Sequence, residues 1–267
     1  MNNSVNITFA IMKISVIQPE IAWEKKSLNF QILSGILSPL FNKTDIVILP
    51  EMFSTGFSMN PEVLGESPFG ETFLWMKKTA ENGNFGVCGS YIVKENTNFY
   101  NRWVFVSPGN ETWHYDKHHL FTMGGEDRLF TAGNSKLNFT FRGVRIAPYI
   151  CYDLRFPVWS RNLEESDLII YAANWPEKRR NVWNILLKAR SIENQCYVAG
   201  SNRTGIDGEG IGYTGESMII DPKGDIIASA GTGKNCSVTA EISLAGLSSF
   251  RNKFSVLKDI DDFTINT

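Results

Sequence analysis

Two short, unbroken apolar runs constrain this chain more than anything else in it. One is Ile46-Val47-Ile48-Leu49 within Asp45–Glu51. The other is Leu168-Ile169-Ile170-Tyr171-Ala172-Ala173 within Asp167–Pro176. A strand that is apolar on both faces suits a fully buried parallel strand in an α/β protein. Each run stops at a polar residue: Glu51 follows Pro50, and Asn174 precedes Trp175 and Pro176. Ligands bind at the carboxyl ends of strands in open α/β sheets. Both ends are therefore expected on one rim.

A third stretch, Ile146–Pro157, has the same design. A β-prone run reaches Cys151, and Tyr152-Asp153-Leu154-Arg155-Phe156-Pro157 follows. A strand meeting a tight turn there exposes the cysteine at the strand end and aims free backbone N–H groups at whatever it attacks. The competing reading is a core cysteine, since cysteine is among the most buried residue types. Cys88, Cys196 and Cys236 read most simply that way. The four cysteines lack CxxC or zinc-type spacing, which fits reduced thiols in the cytoplasm.

Other elements follow from periodicity. Strands are expected at Lys13–Pro19, Phe85–Val93, Phe99–Ser107, Glu111–Asp116 and Cys196–Ser201. Hairpins are expected for Leu137–Phe141 with Val144–Cys151, and for Tyr213–Ile220 with Asp225–Ser229. Asn235–Ile242 is the last strand. Helices are expected at Lys25–Leu37, Glu71–Asn82 (stopped by Gly83), Phe156–Leu163 and Arg179–Asn194. The loop Met52–Met59 is too apolar for a solvent loop and reads as a pocket wall or lid. The tail from 243 to 267 is left open. Met12 directly precedes a strand, so residues 1–11 read as a loose extension, with Met1 or Met12 as the start.

The length of 267 residues and the absence of repeats or linkers point to one domain. A net charge of −2 offers no basic surface for nucleic acid. No apolar run approaches membrane-spanning length.

Two more positions matter. Lys117 sits where a strand gives way to a loop mixing glycine, charge and apolar residues, and Glu126 lies in that loop. Alone, Glu51 reads as a surface glutamate and Lys117 as a solvated lysine. Lys178, Arg179 and Arg180 open the long helix, where the dipole disfavours cations. They are a solvated charge run or an anion-binding rim.

Together, Leu-Pro-Glu-Met-Phe at 49–53, Asp-Lys-His-His-Leu-Phe at 116–121 and Cys-Tyr-Asp-Leu-Arg-Phe-Pro at 151–157 resemble the nitrilase, or carbon–nitrogen hydrolase, superfamily. Ala-Asn-Trp-Pro at 173–176, Ala-Arg-Ser-Ile-Glu-Asn-Gln at 189–195, Tyr-Thr-Gly-Glu-Ser at 213–217 and Asp-Pro-Lys-Gly at 221–224 extend the likeness across nearly the whole chain. The resemblance implies an αββα sandwich of two mixed sheets between helix layers, and a homodimer. It also implies a Glu51–Lys117–Cys151 triad with Glu126 as a second glutamate, and no metal or organic cofactor. Cys151 would attack an amide carbonyl, Glu51 would move the proton, and Lys117 with the Tyr152 backbone N–H would hold the oxyanion. A cysteine–histidine mechanism is the rival, with His114, His118 and His119 all near Lys117.

The blocks are most similar to the bacterial omega-amidase branch, which hydrolyses the terminal amide of 2-oxoglutaramate and 2-oxosuccinamate. Such a substrate carries an anion, a task for Arg155, Arg179, Lys178 or Arg180. Phe53, Phe121, Met123, Asn174 and Trp175 are expected around it. Hydrolysis of an N-carbamoyl compound or another aliphatic amide is the alternative, and a silent binding protein on the same fold is a third.

Overall fold

The computed structural model describes residues 11–162 and 166–265. The strands run β1 (Ile11–Gln18), β2 (Ile46–Ile48), β3 (Gly86–Glu95), β4 (Asn98–Val106), β5 (Thr112–Asp116), β6 (Phe139–Phe141), β7 (Val144–Ile150), β8 (Leu168–Ala173), β9 (Tyr197–Asn202), β10 (Thr204–Ile206), β11 (Gly212–Thr214), β12 (Met218–Ile220), β13 (Ile226–Ser229) and β14 (Cys236–Ser243). The helices are α1 (Lys26–Leu37), α2 (Pro61–Leu64), α3 (Glu71–Gly83), α4 (Arg180–Asn194) and α5 (Leu244–Lys253).

Two six-stranded mixed sheets result, ordered β14-β1-β2-β3-β4-β5 and β13-β12-β9-β8-β7-β6. Both have the same plan. Three central strands are parallel (β1-β2-β3 and β7-β8-β9), with one antiparallel strand on one side and two on the other. The lone edge strand differs in origin: β6 directly precedes β7, whereas β14 returns from the far end of the chain to pair with β1.

Alternation assigns the faces. Ile14, Val16, Ile46, Ile48, Trp103 and Phe105 point between the sheets, where they meet Ile146, Ile150 and Ile170. Their neighbours Ile17, Val47, Leu49, Val87 and Val104 face outward onto Phe30 and Leu33 of α1 and Met76 and Ala80 of α3. On the second sheet, Gly200 of β9 makes room for Trp183 and Leu187 of α4. A Cβ there would lie 2.6 Å from Leu187 and 2.8 Å from Trp183. The four layers are helices, sheet, sheet and helix, as the αββα expectation has it.

Several boundaries differ from the sequence reading. β1 starts at Ile11, with Met12 already 1% exposed, so position 11 is not part of a loose extension. Residues 1–10 lie outside the described residues. α3 runs through Gly83 and stops at Asn84, which takes the left-handed conformation (φ +53°). Tyr213–Ile220 is not one strand. Glu216 turns at φ +58°, sending β11 to pair with β10 while β12 joins the main sheet. Phe156–Leu163 is not a helix. The chain there forms a 3-10 turn over Cys151–Arg155 and then a turn through Pro157–Ser160, and Leu163 lies outside the described residues. The tail contains α5, capped by the Ser243 hydroxyl, which accepts from the Gly246 N–H at 3.1 Å. No described helix is long and apolar enough to cross a membrane.

Candidate active site

Three strand ends and one hairpin end converge on a cavity of about 470 Å³. β7 stops at Ile150, and Cys151 follows in the left-handed region at φ +42°. Such a conformation in a non-glycine residue costs on the order of 1–3 kcal/mol and persists only where the surroundings enforce it. Here Asp153, fully buried, enforces it. Its carboxylate accepts from the Ile150 N–H (3.0 Å), the Tyr115 hydroxyl (2.8 Å), the His119 N–H (2.9 Å) and His119 Nδ1 (2.8 Å). Buried Arg190 of α4 donates to the Leu154 carbonyl at 2.6 Å from the other side. The turn's first N–H groups, that of Tyr152 included, have no partner within the turn itself.

Beside the thiol sits a buried charge cluster. Lys117, just past β5, donates through Nζ to Glu51 Oε1 (2.7 Å) and to Glu126 Oε2 (2.8 Å) and Oε1 (3.1 Å). The three residues are 1%, 0% and 0% exposed. Asn101 of β4 donates from Nδ2 to both carboxylates, at 2.9 Å to Glu51 and 3.0 Å to Glu126. The Asn174 N–H reaches Glu51 Oε2 at 2.9 Å, and its side chain donates to the Glu51 carbonyl. Among the described residues, no group of His, Cys, Asp and Glu is arranged to hold a metal ion.

The electrostatics follow from burial and charge. Burial works against the Lys117 charge, but the Glu126 and Glu51 carboxylates hold its pKa above the ordinary lysine range. Burial, and then the Glu51 charge, push the Cys151 thiol well above its usual range, while Lys117 pulls the other way. The thiol is therefore protonated at neutral pH and needs a base. Burial also lifts the Glu126 carboxyl, against Lys117 and Asn101. Cys196 is pushed up to about 12 by burial, with Arg251, Asp167 and Glu193 as the charges around it. His118 and His119 are used elsewhere: His119 faces Asp153, and His118 Nδ1 faces the Gly133 carbonyl at 2.6 Å. His114 lies within β5.

Of the residues expected around a substrate, Phe121, Met123, Arg155, Asn174, Trp175 and Arg179 line the cavity, with Tyr152. Met123, 74% exposed, is at its mouth. Phe53 does not line it, which corrects the expectation. Its ring packs outward against Trp75 (5.7 Å between centroids) and over Gly89, whose missing side chain makes the space. The same apolar loop supplies Phe57 and Met59 to the cavity instead. Among the four candidate cations, Lys178 and Arg180 are exposed outside the cavity, and Arg180 lies 4.0 Å from Glu216. Arg155 stacks over Trp175 (5.1 Å) and Arg179 over Phe121 (5.4 Å). Among the described residues, neither guanidinium has a carboxylate within ion-pair distance.

Sequence reasoning missed Asn101, Trp23, Asp207 and Tyr213. Asn101 had a signal: it shares the inward face of β4 with Trp103 and Phe105, so it is a polar residue at a core position. Asp207 and Tyr213 belong to the β10–β11 hairpin, where the Tyr213 hydroxyl donates to Asp207 at 2.8 Å. That hairpin was not expected.

A half-buried cysteine at a strained strand end, a paired glutamate and lysine, and a cavity above them describe a hydrolytic site of one known kind. Residues 13–252 match the carbon-nitrogen hydrolase family, and the chain belongs to it. It is thus a hydrolase of carbon–nitrogen bonds. The chain is 41% identical over 254 residues to the omega-amidase YafV of Escherichia coli strain K12, covering 95% of this chain and 98% of that one. It is 34% identical to the 2-oxoglutaramate amidase of Bacillus subtilis strain 168, over 92% and 96% of the two chains. The crystal structure of XC1258 from Xanthomonas campestris, a CN-hydrolase superfamily protein, superposes with a TM-score of 0.94 at 35% identity, covering 96% of this chain and 100% of that one.

Proposed function

We propose that this protein is an omega-amidase that hydrolyses the terminal amide of 2-oxoglutaramate or 2-oxosuccinamate through a cysteine thioester. One observation carries the reading. The Cys151–Glu51–Lys117 cluster forms the floor of a cavity whose wall holds two guanidinium groups that, among the described residues, have no carboxylate partner. The names of the E. coli and B. subtilis relatives support it.

The steps use this chain's own residues. Cys151 Sγ bonds to the amide carbon while Glu51 takes the thiol proton. The carbonyl electrons move to oxygen, where the Lys117 ammonium and the Tyr152 N–H stabilise the charge. Preorganised donors of this kind contribute about 3 kcal/mol each. Glu51 returns the proton to nitrogen, the carbon–nitrogen bond breaks and ammonia leaves. Glu51 then draws a proton from water, whose oxygen attacks the thioester. The carbon–sulfur bond then breaks, Glu51 returns the proton to sulfur, and carboxylic acid and free thiol result. Arg155 and Arg179 hold the distal carboxylate and 2-oxo group by charge-assisted hydrogen bonds, and the protein works as a cytoplasmic homodimer.

The test is ammonia release from 2-oxoglutaramate, with glutamine and a simple aliphatic amide alongside. The wild type is expected to favour the oxo-amide, and Cys151→Ala to lose about 10⁴-fold or more in kcat. Arg155→Ala and Arg179→Ala are expected to raise KM for the oxo-amide by about tenfold or more, with little effect on the neutral amide. Equal KM for all variants would remove the substrate assignment. Turnover of an N-carbamoyl compound instead would favour the alternative.

A further inference from the structure

Two buried carboxylates share one ammonium in this site, and the hydrogen bonds around them differ in a way that separates their roles. A carboxylate offers about four lone-pair positions. All four on Glu126 meet N–H donors: Lys117 on both oxygens, Asn101 on Oε1 and the Phe121 N–H on Oε2 at 2.7 Å. On Glu51, Lys117 and Asn101 fill Oε1, and the Asn174 N–H takes one position on Oε2. Among the described residues, the one acceptor position that no N–H donor takes is on Glu51 Oε2, and the Cys151 thiol is within hydrogen-bonding reach of that carboxylate.

The inequality comes from Lys117, which reaches both oxygens of Glu126 but only Oε1 of Glu51, while Asn101 ties the two carboxylates together. Asn101 is fully buried, and its single amide nitrogen serves both carboxylates. Its orientation is set by a relay. The Met52 N–H donates to Ser90 Oγ at 2.9 Å, and the Ser90 hydroxyl donates to Asn101 Oδ1 at 2.8 Å. Met52 directly follows Glu51 and is held at φ +42°. The relay closes a ring: Glu51 side chain, Asn101, Ser90, and back to the backbone beside Glu51.

We propose that Asn101 is a positioning residue for the reaction, tying Oε1 of Glu51 and Oε1 of Glu126 together beside Lys117 and leaving Glu51 Oε2 as the oxygen that exchanges a proton with Cys151. The proposal rests on the hydrolytic reading above. The S–H bond breaks as the Glu51 O–H bond forms, and the exchange reverses when the thiol is regenerated. The titratable groups facing Glu51 are Lys117, Glu126 and Cys151. Arg155, Arg179 and Asp207 lie further out in the cavity.

The test follows two pH profiles in Asn101→Ala. One is ammonia release from the amide the wild type hydrolyses; the other is alkylation of Cys151 by iodoacetamide, which needs no substrate. Without the amide donor, each carboxylate loses a hydrogen bond that favours its charged form, and only the ammonium lies between them. The acid limb of both profiles is expected to rise by about one to two pH units, the size of one hydrogen bond to a charged group. kcat should fall more than KM changes. Ser90→Ala keeps the amide and loses its tether. It should move the limb less, in the same direction, and it is the variant to read if Asn101→Ala does not fold. An unmoved acid limb in a folded variant overturns the proposal. A shifted alkylation limb in a protein that releases no ammonia from the oxo-amide supports it while removing the substrate assignment.

Discussion

At the scale of single residues, Lys117 decides whether the site is tolerable to the fold. It places one positive charge between two carboxylates that are both 0% exposed. Removing one partner of a buried pair costs about 3–5 kcal/mol, because the other is stranded. Lys117→Met is therefore expected to lose about that much stability at pH 7. The deficit should shrink toward pH 5, as the stranded carboxylates take up protons. Urea melts at the two pH values read this directly. In the wild type the sign is opposite and the window is alkaline. The Lys117 pKa is held above its unfolded value, so its contribution is complete below about pH 10.4 and lost as pH rises beyond the folded value. Glu51, Lys117 and Cys151 were legible in the sequence because each ends a strand inside a recognisable block. Asn101 was not, because an asparagine in the middle of a strand reveals its use only when Glu51 and Glu126, distant in sequence, arrive on its nitrogen.

At the scale of elements, the site depends on how strands end. β2 leaves its ladder after Ile48, and the chain through Leu49 and Pro50 swings Glu51 inward while Phe53 goes to the outer face. Gly89 in β3 permits that swing. A Cβ there would lie 2.7 Å from Leu49 Cβ and 2.9 Å from Phe53 Cδ1. Overpacking of this kind costs about 1–3 kcal/mol. Gly89→Ala is expected to lower the melting midpoint by that equivalent and to reduce kcat by shifting the Glu51 loop. An unchanged kcat alongside a lowered midpoint would show that the loop does not depend on this contact. The apolar character of Met52–Met59 announced a pocket wall, and Phe57 and Met59 form one. Which phenylalanine turned inward was hidden, because loop side chains follow no period. The absent Phe156–Leu163 helix has a similar cause: Asp153 and Arg190 hold the chain in a 3-10 turn before a helix could begin.

At the scale of the whole molecule, two sheets of one plan stack face to face and the chain's end closes them. β14 pairs with β1 along its full length, and Arg251 of α5 donates to the Gln195 carbonyl (2.8 Å) and the Ser166 carbonyl (2.7 Å) of the second half. Ile185 and Ile192, seven residues apart on one face of α4, remain exposed, and the proposed homodimer would cover them. Sedimentation equilibrium is expected to give twice the 30.1 kDa of one chain, and Ile185→Glu with Ile192→Glu to give the single-chain mass. A wild type that sediments at the single-chain mass would remove the dimer. By itself, the sequence marked Cys151, Glu51 and Lys117 as candidates for the proposed chemistry and determined the mixed α/β class and the family, because these lie in local patterns: apolar runs, strand ends and short motifs. Only the tertiary structure decided which two of four cations reach the cavity, where Phe53 points, and that one asparagine serves two carboxylates. Those outcomes depend on which faces of two stacked sheets come within a few ångströms of each other, and no local pattern along the chain carries that distance.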